Sequence, residues 1–172
     1  MSDIRKYVVI GSNCFSASNF VDLLLDDPNN RVIGISRSSE KSKLFLPYKF
    51  CETKNFEFHQ LDLVRQPGDI IQLLDEIEPN YVVNYAALSE VALSNFQPSE
   101  YFQVNTLGVV NLCNQLRTRE YLKRYIHISS AEIYGRLEGI VTESAPLNPS
   151  TPYAVSKAAA DLYLLTLVRN FD

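Results

Sequence analysis

The sequence predicts an α/β fold, a doubly wound parallel sheet with helices on both faces. Three observations point there. Short β-branched runs alternate with helical patterns along the chain, the signature of successive βαβ units. Tyr7-Val-Val-Ile10 and Tyr81-Val-Val-Asn-Tyr85 are apolar runs of the kind that strands covered on both faces display. Gly11, Ser36, Ala86 and Ser130 each follow a strand-like run directly, where open α/β sheets hold their ligands.

The 172 residues are enough for one domain with a buried core, and 46% apolar with 21% charged residues are globular proportions. A net charge of −4 gives no basic footprint for nucleic acid. The apolar runs are far shorter than a membrane span, and no signal peptide is visible. Cys14, Cys51 and Cys113 have neither metal-ligand nor redox spacing. They fit thiols in a reducing cytoplasm, and no metal site is expected. His59 and His127 lie in strand-like runs and read as packing residues.

The first strand leads through Gly11-Ser-Asn-Cys14-Phe-Ser-Ala17 into Ser18–Leu25, which has helical spacing. A strand, a tight turn and a helix make the phosphate-binding opening of a doubly wound fold, with backbone approaching a pyrophosphate at the helix N-terminus. Gly11, Asn13, Cys14, Phe15 and Ser16 are the cofactor candidates here. An ordinary strand-to-helix turn is the alternative. Arg31–Ile35 is the second strand, followed by Ser36, Arg37 and Ser38. No acid stands at this tip to bind ribose hydroxyls, and an arginine among hydroxyls suits an extra phosphate. NADP is therefore favoured, with NAD the alternative, and an exposed arginine without a ligand stands beside both.

Phe56–Gln60 alternates like a strand and delivers Asp62 and Leu63; Asp62 would contact the adenine or cap a turn. Asp69–Ile77 is a short amphipathic helix stopped by Glu78-Pro79. After the fourth strand, Ala86, Ala87 and Ser89 are small enough to let the chain pass close to a cofactor. A helix over Ser99–Arg119 carries Asn105, and Tyr125–Ile128 is the fifth strand. Pro152 opens a last helix, Tyr153–Asn170, where Tyr153 and Lys157 are four apart and share a face. An ammonium beside a phenol favours loss of the phenolic proton, which suits removal of a proton from an alcohol as hydride leaves the same carbon.

The loop at Gly11, Asn84-Tyr-Ala-Ala87, Asn105, Ser129-Ser-Ala-Glu-Ile-Tyr-Gly135, Thr142-Glu143 and Tyr153-Ala-Val-Ser-Lys157 occur in one order. Together they resemble the extended short-chain dehydrogenase/reductase family, the Rossmann-like sugar-nucleotide epimerases and dehydratases. Within it the chain looks most similar to GDP-mannose and dTDP-glucose 4,6-dehydratases. The resemblance implies Tyr153 as the acid/base, Lys157 as its partner and a ribose ligand, and Ser130 as a donor to the reacting hydroxyl. It implies Glu132 as the base at C5 and Asn105 among the cofactor residues. The reaction implied is oxidation at C4, elimination across C5–C6 and return of hydride to C6. Ala131 stands where relatives carry a proton donor, so 4-epimerase or UDP-glucuronate decarboxylase chemistry remains open, as does a dinucleotide-binding protein without turnover. Relatives are roughly twice as long, so residues 1–172 correspond to the dinucleotide-binding domain and a substrate-binding part is expected beyond them. A nucleotide sugar is the expected substrate. Apolar residues on more than one face of helices 99–119 and 153–170 predict a homodimer.

Overall fold

A computed structural model describes residues 4–50 and 55–171; Cys51 lies outside the described residues. The chain forms two compact units, Met1–Ala86 with Thr118–Ile128, and Ala87–Arg117 with Ser129–Asp172.

The first unit is a sheet of five parallel strands in the order β3-β2-β1-β4-β5: β1 (Arg5–Ile10), β2 (Asn30–Ser36), β3 (Phe56–Gln60), β4 (Tyr81–Asn84) and β5 (Arg124–His127). Val8, Val9, Val32, Ile33 and Val82 are fully buried. Consecutive buried residues leave no face of the central strands to water, which is why these runs do not alternate. Helix α1 (Phe15–Leu25) connects β1 to β2, and α2 (Pro67–Ile77) connects β3 to β4 in the opposite direction across the sheet. Parallel crossovers are right-handed, so opposite directions put the two helices on opposite faces. The sheet is doubly wound.

On one face α1 buries Ala17 and Val21 against Val9 and Val32, with Leu46 and Tyr48 completing the cluster. Helix α2 begins at Pro67 rather than at Asp69, since proline's missing N–H is harmless in a first turn. It buries Ile70, Leu74 and Ile77 along one stripe and stops where Glu78 turns left-handed at φ 52°. Arg119 binds both carboxylate oxygens of Asp75 on α2, at 2.9 and 3.0 Å, and the Tyr121 hydroxyl donates to the same carboxylate at 2.7 Å. The segment ahead of β5 is thereby tied to α2. Asp75 is held below the usual carboxylate range by those bonds.

The second unit is helical. Its elements are α3 (Val91–Ser94), α4 (Pro98–Phe102), α5 (Gly108–Leu116) and α6 (Pro152–Asn170), with a 3-10 turn over Ala131–Tyr134. The single helix expected over Ser99–Arg119 is corrected: Gln103–Leu107 form a π-helical turn between α4 and α5, and the helix ends at Leu116. Tertiary bonds account for the turn, because Asn105 and Thr106 both reach Ser156 on α6. Such turns favour positions where a side chain must be re-aimed. Among the described residues, no helix is long and apolar enough to cross a membrane.

Candidate active site

In the first unit, the ends of β1, β2 and β4 set the turn that follows Ile10. Gly11 adopts φ +86°, and a Cβ there would lie 2.7 Å from the backbone nitrogen of Ala86. Only glycine fits both the left-handed backbone and this close approach. The Cys14 N–H closes the turn on the Gly11 carbonyl at 3.0 Å. Cys14 itself needs no glycine-like backbone: at φ −79° and ψ 158° it is the N-cap of α1, its Sγ accepting from the Ala17 N–H at 3.4 Å. The helix therefore starts at Phe15, three residues before the periodic stretch from Ser18.

Groups at the start of a helix lack intrahelical acceptors for their N–H bonds. The N–H of Ala17 is taken by the Cys14 sulfur and that of Ser18 by the Cys14 carbonyl. Exposed Phe15 and Ser16 are the positions left to meet an anion, and the helix dipole favours negative charge there. The turn thus fits a pyrophosphate despite having one glycine.

Ser36 is buried and Ser38 exposed, and both hydroxyls are hydrogen-bonded within the chain. The buried Ser36 hydroxyl accepts from the Asn13 N–H at 3.0 Å and lies 3.3 Å from the Ser12 hydroxyl. The Asn13 amide donates to the Ser38 hydroxyl, the Ser38 carbonyl and the Ser39 carbonyl. Asn13 thus locks the loop after β2 onto the turn after β1. Arg37 is exposed, and Gln60 donates to its carbonyl at 3.2 Å. Asp62 caps its own turn, accepting from the Val64 and Arg65 N–H groups at 2.8 and 3.0 Å, and Leu63 is buried.

In the second unit, Thr151 caps α6 by accepting from the Ala154 N–H, and Pro152 occupies the first turn. Tyr153, Lys157 and Asp161 then follow at intervals of four on one stripe. Tyr153 is 8% exposed and Lys157 2%. The Tyr101 ring meets the Tyr153 ring edge-on, with centroids 6.3 Å apart, and the Tyr101 hydroxyl donates to the Glu90 carbonyl. Burial pulls the Lys157 ammonium down to about 8, and the charge of Asp161 opposes that fall. Asp161 is itself raised by burial, against the Ser129 hydroxyl that donates to it and the charge of Lys157.

Ser130 is the N-cap of the 3-10 turn, its hydroxyl accepting from the Glu132 N–H at 3.2 Å. Ala131 and Glu132 are exposed, while Ile133 anchors the turn in the core. Gly135, at φ +68°, ends it against the Asn148 carbonyl, 2.0 Å from where a Cβ would stand. Asn105 is fully buried and its amide is wholly employed: it accepts from the Leu88 N–H and donates to the Leu88 carbonyl and the Ser156 hydroxyl. It holds the segment carrying Ala87 and Ser89 from behind. The partnerships of Asp161 with Ser129 and of Asn105 with Ser156 escaped the sequence reading; the spacing of four from Lys157 to Asp161 was the one signal available.

A parallel sheet of order 3-2-1-4-5 opening on a glycine turn, with a Tyr-x-x-x-Lys helix in the same chain, defines a dinucleotide-dependent enzyme fold. The chain belongs to the NAD dependent epimerase/dehydratase family, which it matches over residues 7–172. It is 30% identical to human dTDP-D-glucose 4,6-dehydratase over 93% of the chain and 46% of that enzyme. Among solved structures it is similar to UDP-N-acetylglucosamine 4-epimerase from Methanobrevibacter ruminantium M1, with a TM-score of 0.85 and 30% identity over 99% of the chain and 52% of that protein. It is also similar to UDP-glucuronic acid 4-epimerase from Bacillus cereus in complex with UDP-glucuronic acid and NAD, with a TM-score of 0.82 and 26% identity over 96% of the chain and 53% of that protein. The chain spans about half the length of the relatives it matches.

These findings correct the expectation of NADP. The similar epimerase holds NAD. The Ser36 and Ser38 hydroxyls have a use that the linear motif did not show: both accept from Asn13, which ties the loop after β2 to the turn after β1.

Proposed function

We propose that the chain carries the NAD-binding and acid–base machinery of an enzyme that oxidises nucleotide sugars at C4, with 4-epimerisation as the first reading. The observation that carries it is the pair Tyr153 and Lys157, one turn apart on α6, with the lysine almost wholly buried. A buried ammonium is expensive to maintain and is kept where its charge is used.

NAD, when bound, supplies the acceptor for the hydride leaving C4. Phe15 and Ser16 would meet its pyrophosphate and Gly11 would let the backbone come close. Tyr153 takes the proton of the C4 hydroxyl, and Lys157 counters the charge that develops on the phenol oxygen. Ser130 donates to the same hydroxyl oxygen, with its lone pair already directed to the Glu132 N–H. Epimerisation needs no further acid or base, and Ala131 offers none. The 4,6-dehydratase reading is supported by Glu132, an exposed carboxylate two residues after Ser130, and by the human relative's activity. Incubation with NAD and UDP- or dTDP-linked hexoses, followed by NMR of the sugar, tests both: inversion at C4 supports the epimerase, and a 4-keto-6-deoxy sugar supports the dehydratase. Tyr153→Phe should abolish either product; survival of turnover in that variant would overturn the assignment.

Leu162, Leu165 and Val168 on α6 are 54%, 45% and 78% exposed, and we read this face as the contact with a second copy of the chain. Light scattering that finds only monomer at high concentration would remove it.

A further inference from the structure

Ser129 and Asp161 stand outside the acid–base set, yet they link its two segments. The Ser129 hydroxyl donates to the Asp161 carboxylate, joining the residue before Ser130 to the helix of Tyr153 and Lys157. Asp161 lies one turn beyond Lys157 on the same stripe of α6. We infer that Asp161 is a positioning residue: it fixes Ser130 through Ser129 and supplies the countercharge that keeps Lys157 an ammonium inside the fold. This rests on the proposed C4 oxidation.

The charged surroundings support an effect specific to Asp161. The elements packed against α6 are α3, α4, the π turn, α5 and the 3-10 turn. They and their flanks present Glu90, Glu100, Tyr101, Cys113, Arg117, Glu132 and Tyr134, and α6 itself presents Tyr153, Tyr163 and Arg169. Among the described residues, Asp161 is the group whose charge acts on Lys157. Burial disfavours both charges separately, so each is retained through the other and through the serine hydroxyl. A carboxylate in this setting does two jobs. It accepts the one proton that Ser129 can donate, which orients the backbone entering Ser130, and it delays loss of the lysine proton as pH rises.

The test uses Asp161→Asn, which keeps an acceptor for Ser129 but removes the charge, and Asp161→Glu, which keeps the charge. With lysines labelled at the ε-carbon, NMR follows the Lys157 titration, assigned by its loss in Lys157→Met. Lys157 should titrate at lower pH in Asp161→Asn than in wild type, and near the wild-type pH in Asp161→Glu. In turnover, the alkaline limb of kcat should move to lower pH in Asp161→Asn while KM for NAD stays within twofold. Ser129→Ala should lower kcat at every pH without moving that limb. An unchanged Lys157 titration in Asp161→Asn overturns the inference even if turnover falls. Should Asp161→Asn not fold, Asp161→Ser, which also removes the charge and keeps an acceptor, takes its place, and an unchanged Lys157 titration there overturns the inference. Absence of C4 oxidation in wild type would remove the proposed function alone, because the NMR titration needs no substrate.

Discussion

Replacing Lys157 by methionine should make the protein more stable at neutral pH while removing its chemistry. The ammonium is 2% exposed, and burial pulls it from 10.5 down to about 8. That difference corresponds to about 3 kcal/mol of unfavourable charge burial at pH 7. Methionine fills nearly the same volume without a charge. Asp161 loses its countercharge in the exchange but keeps the Ser129 hydroxyl, so a net gain of about 1–3 kcal/mol is expected. The sign of the pH dependence is fixed. Between about 8 and 10.5 the unfolded chain still holds the lysine proton that the folded chain has released, so wild-type stability rises with pH across that window. The variant lacks this contribution, and its advantage should shrink as pH rises. Urea unfolding of both proteins at pH 7, 8, 9 and 10 gives the difference directly, since tyrosines and cysteines titrating in the same range are common to the two. A difference that is flat with pH, or a variant less stable at pH 7, would falsify the view that Lys157 is held against its solvation.

Asn105→Leu should cost about 1–3 kcal/mol in urea unfolding, because the Leu88 N–H and carbonyl lose their partners inside the second unit. Gly11→Ala forces an L side chain into φ +86° against the Ala86 backbone, and calorimetry should show NAD binding lost together with a fall in stability of order 1–3 kcal/mol. In Glu132→Gln, an unchanged rate of C4 inversion supports the epimerase, whereas a fall of about 10²–10⁴ in a sugar-eliminating reaction would place Glu132 as its base. Arg37→Ala should leave NAD affinity within twofold by calorimetry; a tenfold loss would show that the exposed guanidinium meets the cofactor after all.

The strands were legible because their physics is local: both-face burial writes apolar runs into β1 and β4, and each boundary falls within two residues of the structure. The Tyr-x-x-x-Lys helix was legible for the same reason, with Pro152 marking its start. What escaped depends on partners distant in sequence. Nothing between Ser99 and Arg119 announces a π turn, since its cause lies in Ser156, some fifty residues on. Cys14 stands among the cofactor candidates in the sequence, and nothing beside it marks it as a helix cap. Its sulfur is the cap that the helix uses. Ser36, Arg37 and Ser38 read as a phosphate clamp because neither Ser12 nor Asn13 stands beside them in the linear sequence.

Neither compact unit is a continuous piece of chain, and this bears on how the protein is made. β5 pairs with β4 through Tyr81–Arg124 to Asn84–His127, and Arg119 reaches back to Asp75. A ribosome must therefore add forty positions, from Asn84 to Arg124, before the outer edge of β4 acquires its neighbour. Throughout that interval a nascent sheet of four strands presents a bare row of backbone donors and acceptors, the surface most prone to pair with another unfinished chain. Slower elongation over residues 85–123 would lengthen the exposure, and a chaperone that shields strand edges would find its client there.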